Sequence, residues 1–332
     1  MNHMHKKLLS PGVWANAAAI PQFNAADIQF CLNEIQTSPA GRSRICFHSE
    51  TSDPLQEMVI AFDGKSYVQA SFHVDRDESI HFVEGFGKYV FFDEQGNVKT
   101  DIRLGHYESD LPFYCRIPGN TLHSLVAYSS VLVAHEVGTG PFERNNTTFP
   151  TWAKDFASEE EKAAYRTYHA TMPAAPILPC EYDELAPGQY RANPGIYAVS
   201  RTDLLKLKAK IEKAHLTEGH LAIHQNETTK LHESFGIYLN GVKIQAHRYP
   251  HHDASFHILE GQAECTLFDE NGQVKEVIRL GNKHSGLAFF VRIPKNHFYT
   301  LLPQSDYFIT HESIAGPNPE KELADFVGKQ AA

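Results

Sequence analysis

Two long stretches of the chain consist of short runs of β-branched and aromatic residues separated by turn formers, a rhythm that predicts antiparallel strands of a sandwich or barrel. Gln95-Gly96 and Asn271-Gly272 have the chemistry of hairpin turns, since glycine supplies the positive φ that tight connections between twisted strands need. A different pattern precedes each stretch. Asn24, with Asp27 three residues on, comes before Ile28, Cys31 and Ile35, and Ser200, with Asp203, comes before Leu204, Leu207 and Ile211. Both read as capped amphipathic helices packing onto a β domain. Between the stretches, Pro150, Pro173, Pro176, Pro179, Pro187 and Pro194 dot a polar connector in which Ser158 and Glu161 form a capping-box signature, predicting one helix from Ser158 to His169. The predicted fold class is all-β, with two barrels each preceded by a short helix.

The two stretches are copies. SIHFVEGFGKYVFFDEQGNVKTDIRLG from Ser79 returns as SFHILEGQAECTLFDENGQVKEVIRLG from Ser255, an offset of 255 − 79 = 176 that also aligns Arg116-Ile117-Pro118 with Arg292-Ile293-Pro294 and His135-Glu136 with His311-Glu312. His48 pairs with His224, and Glu57 with Glu233, at the same offset. Self-similarity sustained without a gap over this length indicates tandem duplication. The expected organisation is a leader over 1–23, a first barrel over 24–142, the connector over 143–199, a second barrel over 200–318 and a tail over 319–332.

The composition narrows the partners. A formal net charge of −10 with no basic run argues against nucleic acid. Five scattered cysteines without a CxxC pair suggest neither a disulfide framework nor a thiolate zinc site, and no stretch approaches the ~20 apolar residues of a membrane span. The chain reads as soluble and cytoplasmic, acting on a small molecule. The second copy is expected to serve as the first one's partner in a pseudo-dimer within one chain, and a homodimer of the whole remains open.

Candidate chemistry lies in the first copy. Gly64, Tyr67, Ser71, His73, Glu78 and Gly85, followed by Pro118, Gly119 and His123, resemble the two motifs of the cupin superfamily, G(X)5HXH(X)3-4E(X)6G and PXG(X)2H. Ser71 stands where the first histidine of HXH would be, and Asn120 occupies the slot of the second motif's glycine. The segments around Arg44, Glu78 and His135, with the IRLG and RIP blocks, are similar to the WbuC-type cupin-fold metalloproteins, single-domain proteins often associated with polysaccharide gene clusters. The resemblance implies two cupin-type double-stranded β-helix (jelly-roll) barrels. It also implies a divalent ion held by His73, Glu78 and His123.

The residues carry that chemistry in their own right. Side chains alternate along a strand, so Tyr67, Gln69, Ser71 and His73 are expected on one face, lining a pocket, with Glu78 and His123 arriving from other strands. Two imidazoles and a carboxylate with open positions suit non-haem Fe(II) first, with Mn, Ni or Zn as alternatives, at one ion per chain. The competing reading is that His73 and His123 are interior histidines hydrogen-bonded to Glu78 without a metal.

In the second copy His247 stands at the first position, but Tyr249, Ala254 and Tyr299 replace the other ligands, so this barrel is expected to be degenerate. A histidine-only site rebuilt from His247, His297 and the pair His251-His252 is the exception to test. His81, His257, His135 and His311 are expected to be structural, and Arg103, Arg116, Arg279 and Arg292 to form salt bridges rather than to clamp an anionic substrate. Three functions follow as expectations: a metal-dependent bicupin with oxygenase-type chemistry, a sugar or sugar-nucleotide isomerase or epimerase of polysaccharide biosynthesis, and a non-catalytic small-ligand-binding module.

Overall fold

The structure, a computed structural model, describes residues 5–156, 158–173 and 180–326. The chain divides into two units: residues 1–16, 28–180 and 194–203 form the first, and residues 17–27, 181–193 and 204–332 the second.

In the first unit, eight strands lie in the order Lys6–Ser10, Val13–Asn16, Arg42–Cys46, Leu55–Asp63, Val131–Thr139, Glu78–Glu84, Tyr114–Ile117 and Tyr197–Val199. A second sheet takes Phe86–Phe92 between His123–Ala127 and Val98–Gly105. The barrel closes over a core that includes Ile60, Phe62, Ile80, Phe82, Tyr89, Phe91, Leu104, Cys115 and Leu125. Alternation decides which residues enter this core: Glu78, Ile80 and Phe82 share the inward face of their strand, while His81 points the other way, against the Phe113 ring at 4.9 Å.

The second unit repeats the plan with longer strands. Ala254–Phe268 and Phe298–Ala315 each run through what are two separate strands in the first unit. The bend in the first of them falls at Gly261, equivalent to Gly85; both have left-handed φ, at +79° and +86°. A Cβ would lie 2.1 Å from the Tyr307 carbonyl at one site and 2.4 Å from Ser129 Oγ at the other, so only glycine fits. Asn120 and Asn296, in the slot of the second motif's glycine, also take left-handed φ, 63° and 65°, a conformation asparagine tolerates.

Among the described residues, three α-helices accompany the sheets: α1 (Ala25–Ile35), α2 (Glu159–Thr171) and α3 (Arg201–Lys213). Helix α2 carries the expected capping box between Ser158 and Glu161, and α3 buries Leu204, Leu207 and Ile211. Beyond α2, the connector contributes strands Tyr182–Ala186, Gln189–Ala192 and Tyr197–Val199. Within the connector, Trp152, Ala153 and Tyr165 pack on an apolar cluster of Ala70, Val90, Phe92 and Val126.

Residues 5–23, expected as a leader, hold three strands; residues 1–4 and 327–332 lie outside the described residues. The last of these strands, Gln22–Phe23, extends the second unit's sheet by pairing with Phe290–Ile293. Phe23 is fully buried there, its ring 5.4 Å from Phe289. Replacing it leaves a cavity that a packed barrel cannot collapse to fill, so Phe23→Ala is expected to destabilise the protein by about 3–5 kcal/mol in urea unfolding, whereas a loose leader predicts no change.

Candidate metal centre

Three segments of the first barrel bring His73, Glu78 and His123 together. Glu78 opens its strand and pairs with Ile117 on one side and Gly138 on the other, which fixes its carboxylate on the inward face. His123 opens the strand His123–Ala127 and lies opposite Ser71, with both backbone N–H groups donating across the pair at 3.0 Å. His73 sits in the two-residue strand Phe72–His73, opposite Thr147.

One donor atom from each of the three lies within 4.8 Å of the others. His123 Nε2 is 2.9 Å from Glu78 Oε1, and His73 Nε2 is 3.4 Å from Glu78 Oε2. The far side of each ring is also committed. His123 Nδ1 donates to the Thr121 carbonyl at 2.8 Å, and His73 Nδ1 is 3.1 Å from Thr147 Oγ1. Such outer contacts orient a ring and select the tautomer with its Nε2 lone pair directed inward.

The charges fit a cation. Burial would raise the Glu78 carboxyl, but His123, by charge and hydrogen bond, together with His73 and Arg76, brings it down to about 2. Burial lowers His73 despite the neighbouring carboxylate, whereas in His123 the Glu78 charge and hydrogen bond outweigh burial and raise it. A buried carboxylate facing two nitrogens needs positive charge between them, from a proton on an imidazole or from a metal ion that displaces it. Two nitrogens and a carboxylate oxygen with their outer partners in place therefore fit a divalent ion.

Ser71 lies on the face of His123, as expected for a residue directly opposite it. Tyr67 and Gln69 do not line the centre: the Tyr67 hydroxyl donates to the Lys154 carbonyl at 2.7 Å, and Gln69 Nε2 donates to the Ala153 carbonyl at 2.9 Å. Residues 66–70 are not strand, so the alternation that would have aligned them with His73 does not apply. Residues from elsewhere complete the surroundings. Tyr89 places its ring 5.6 Å from His123, and burial together with Glu78 and Glu136 keeps its hydroxyl protonated. Glu136 pairs with Ile80 and so shares its inward face. Nothing in the local pattern marked Tyr89 or Thr147. Glu136 had one signal, since it recurs as Glu312.

His135 meets Glu57 at 3.6 Å and His311 meets Glu233 at 3.0 Å, both pairs fully buried, a repeated structural contact. Arg116 pairs with Asp77, and Arg292 with Asp253, each at 2.9 Å. Arg279 is exposed, and Arg103 lines a surface cavity with Tyr128.

In the second barrel the equivalent positions hold His247, Tyr249 and Tyr299, the His247 ring 4.6 Å from Tyr299 and 5.9 Å from Tyr249. They line a cavity of about 550 Å³ with Tyr238, whose hydroxyl donates to Glu312 at 2.7 Å. Among the described residues, no cluster of three metal-donor side chains includes His247, His251, His252 or His297, so the histidine-only site is not assembled. His224, Glu227 and His232 do cluster at this cavity, but Glu227 is held by Arg191 at 2.9 Å and His232 Nε2 by the Glu227 carbonyl at 3.2 Å.

Comparisons with known proteins agree with this architecture. A salicylate 1,2-dioxygenase from Pseudaminobacter salicylatoxidans is 14% identical with a TM-score of 0.61, covering 92% of this chain and 88% of its own. A variant of that enzyme in complex with gentisate is 12% identical, also at 0.61, with 93% and 86% covered. The chain folds as a bicupin. Oxalate decarboxylase from Bacillus subtilis is 15% identical at a TM-score of 0.44, with 82% and 70% covered. A family described as Domain of unknown function (DUF6016) matches residues 23–104 of the bicupin, and no curated protein matches its sequence.

Burial drives the His224 and His247 imidazoles down to about 4, with help from His232 and Lys321 respectively. Both are neutral in the folded protein, while the unfolded chain takes up protons below about pH 6.5. The stability that these two histidines contribute is therefore complete above about pH 6.5 and is lost as the pH drops toward 4. Urea midpoints measured across that window are expected to decline, and to decline less for His247→Gln.

Proposed function

We propose that the protein is a metal-dependent enzyme acting on a small polar molecule in the first barrel, with His73, Glu78 and His123 holding one divalent ion. The observation that carries this reading is the convergence of two ring nitrogens on one buried carboxylate, with both Nδ1 atoms already engaged. A group with two nitrogens and one carboxylate favours Fe(II), which when bound offers open positions for oxygen and substrate. The likeness of fold to a salicylate 1,2-dioxygenase supports oxygenase-type chemistry over isomerisation.

The chain's own residues define the rest of the site. Glu78 supplies the negative charge that retains the ion, and Thr121 and Thr147 orient the imidazoles. Ser71, too weak a donor to act as a fourth protein ligand, leaves that side open to substrate. Tyr89 presents a neutral hydroxyl to the interior, and Glu136 shares the inward face of Ile80. The second barrel, with tyrosines in place of ligands, completes the pair without a metal of this type.

Anaerobic purification followed by metal analysis tests the reading. About one Fe per chain is expected, lost in His73→Ala, Glu78→Gln and His123→Ala while circular dichroism stays unchanged, and retained in His247→Ala. Metal content equal in all four variants would overturn it.

A further inference from the structure

We infer that Arg76 binds the carboxylate of the substrate beside the metal centre. The inference rests on the metal-site reading for its location and adds the substrate class. Arg76 is 8% exposed, and its Nε is buried without a hydrogen-bond partner. Among the described residues no carboxylate forms an ion pair with it, although acidic residues flank it closely. Asp75 accepts from Asn120 Nδ2 at 3.0 Å, Asp77 is taken by Arg116 at 2.9 Å and the Gly119 N–H at 3.0 Å, and Glu78 faces the two histidines. A guanidinium removed from water and left without an anion is costly, and a ligand carboxylate would answer it.

The position is built for that role. The guanidinium lies on Gly138, the inward-facing residue paired with Glu78, so closely that a Cβ there would come within 2.6 Å of Nη2 and 2.9 Å of Nε. The exposed Phe142 ring lies 5.3 Å from the guanidinium carbon. The guanidinium charge reaches both His73 and Glu78.

The second barrel supplies an internal comparison. At the offset of 176, Arg76 becomes His252 and Gly138 becomes Ile314, so the cation and the space that admits it disappear together, in the copy that lacks His73, Glu78 and His123. A guanidinium kept only for packing would have no reason to share the fate of the metal ligands. One planar fork suits a carboxylate, which it can hold through two parallel hydrogen bonds; a phosphate dianion would call for further donors that this position lacks.

The test uses the full-length protein reconstituted with Co(II) and titrated calorimetrically with benzoate, benzamide and inorganic phosphate, in wild type, Arg76→Gln and Arg76→Lys. Benzoate is expected to bind wild type, to weaken by about tenfold or more in Arg76→Gln, and to be partly restored in Arg76→Lys, with Co(II) content the same in all three. Benzamide binding should not respond to position 76. Equal benzoate affinity in wild type and Arg76→Gln, or an equal loss of benzamide binding, would overturn the assignment, as would phosphate binding more tightly than benzoate. Because metal is counted separately, the two readings fail separately: Co(II) retained without Arg76-dependent benzoate binding refutes only the carboxylate site. Arg76-dependent benzoate binding by protein that takes up no Co(II) refutes only the metal.

Discussion

A carboxylate inside a β-barrel must be answered by positive charge, and the first half of this protein is arranged around that requirement. Glu78 is fixed on the inward face by pairing on both sides of its strand, and two imidazoles reach it from separate segments. Each imidazole is held at its far nitrogen, one by the Thr121 carbonyl and the other by Thr147. The barrel thus commits rigid backbone from four segments to one point. Such preorganisation favours the tight binding of a metal ion.

The duplicated half shows what the same scaffold looks like once that requirement is gone. The turns, the buried His–Glu pair and the Arg–Asp bridge persist, which identifies them as parts of the fold. The ligands do not. Tyr249 and Tyr299 occupy their places around an open interior, and Glu312 is bound by Tyr238. Two copies of one sequence pattern therefore separate structural residues from chemical ones without reference to any other protein.

Much of this was legible in the chain because it is set by local rules. The offset of 176 exposed the duplication, strand periodicity set the fold class, and the spacing of His73, Glu78 and His123 placed three donor side chains on segments that do meet. What escaped depends on contacts distant in sequence or on departures from regular strand. Tyr67 and Gln69 were expected at the pocket because alternation was extended through residues that are not strand, and the connector claims them instead. Thr147 lies 74 residues from the histidine it orients. In sequence, Arg76 is one charge among several acids. Only the three-dimensional pairing of Asp75, Asp77 and Glu78 with other groups shows it to be left over.

The central claim is that two imidazoles and one carboxylate of the first barrel bind a single ion. X-ray absorption at the zinc edge, on protein reconstituted with one equivalent of Zn(II), tests it most directly. The account predicts nitrogen and oxygen ligands at about 2.0–2.2 Å with outer-shell scattering from two imidazoles, reduced to one in His123→Ala. A spectrum without imidazole scattering, or one unchanged by that substitution, would contradict it.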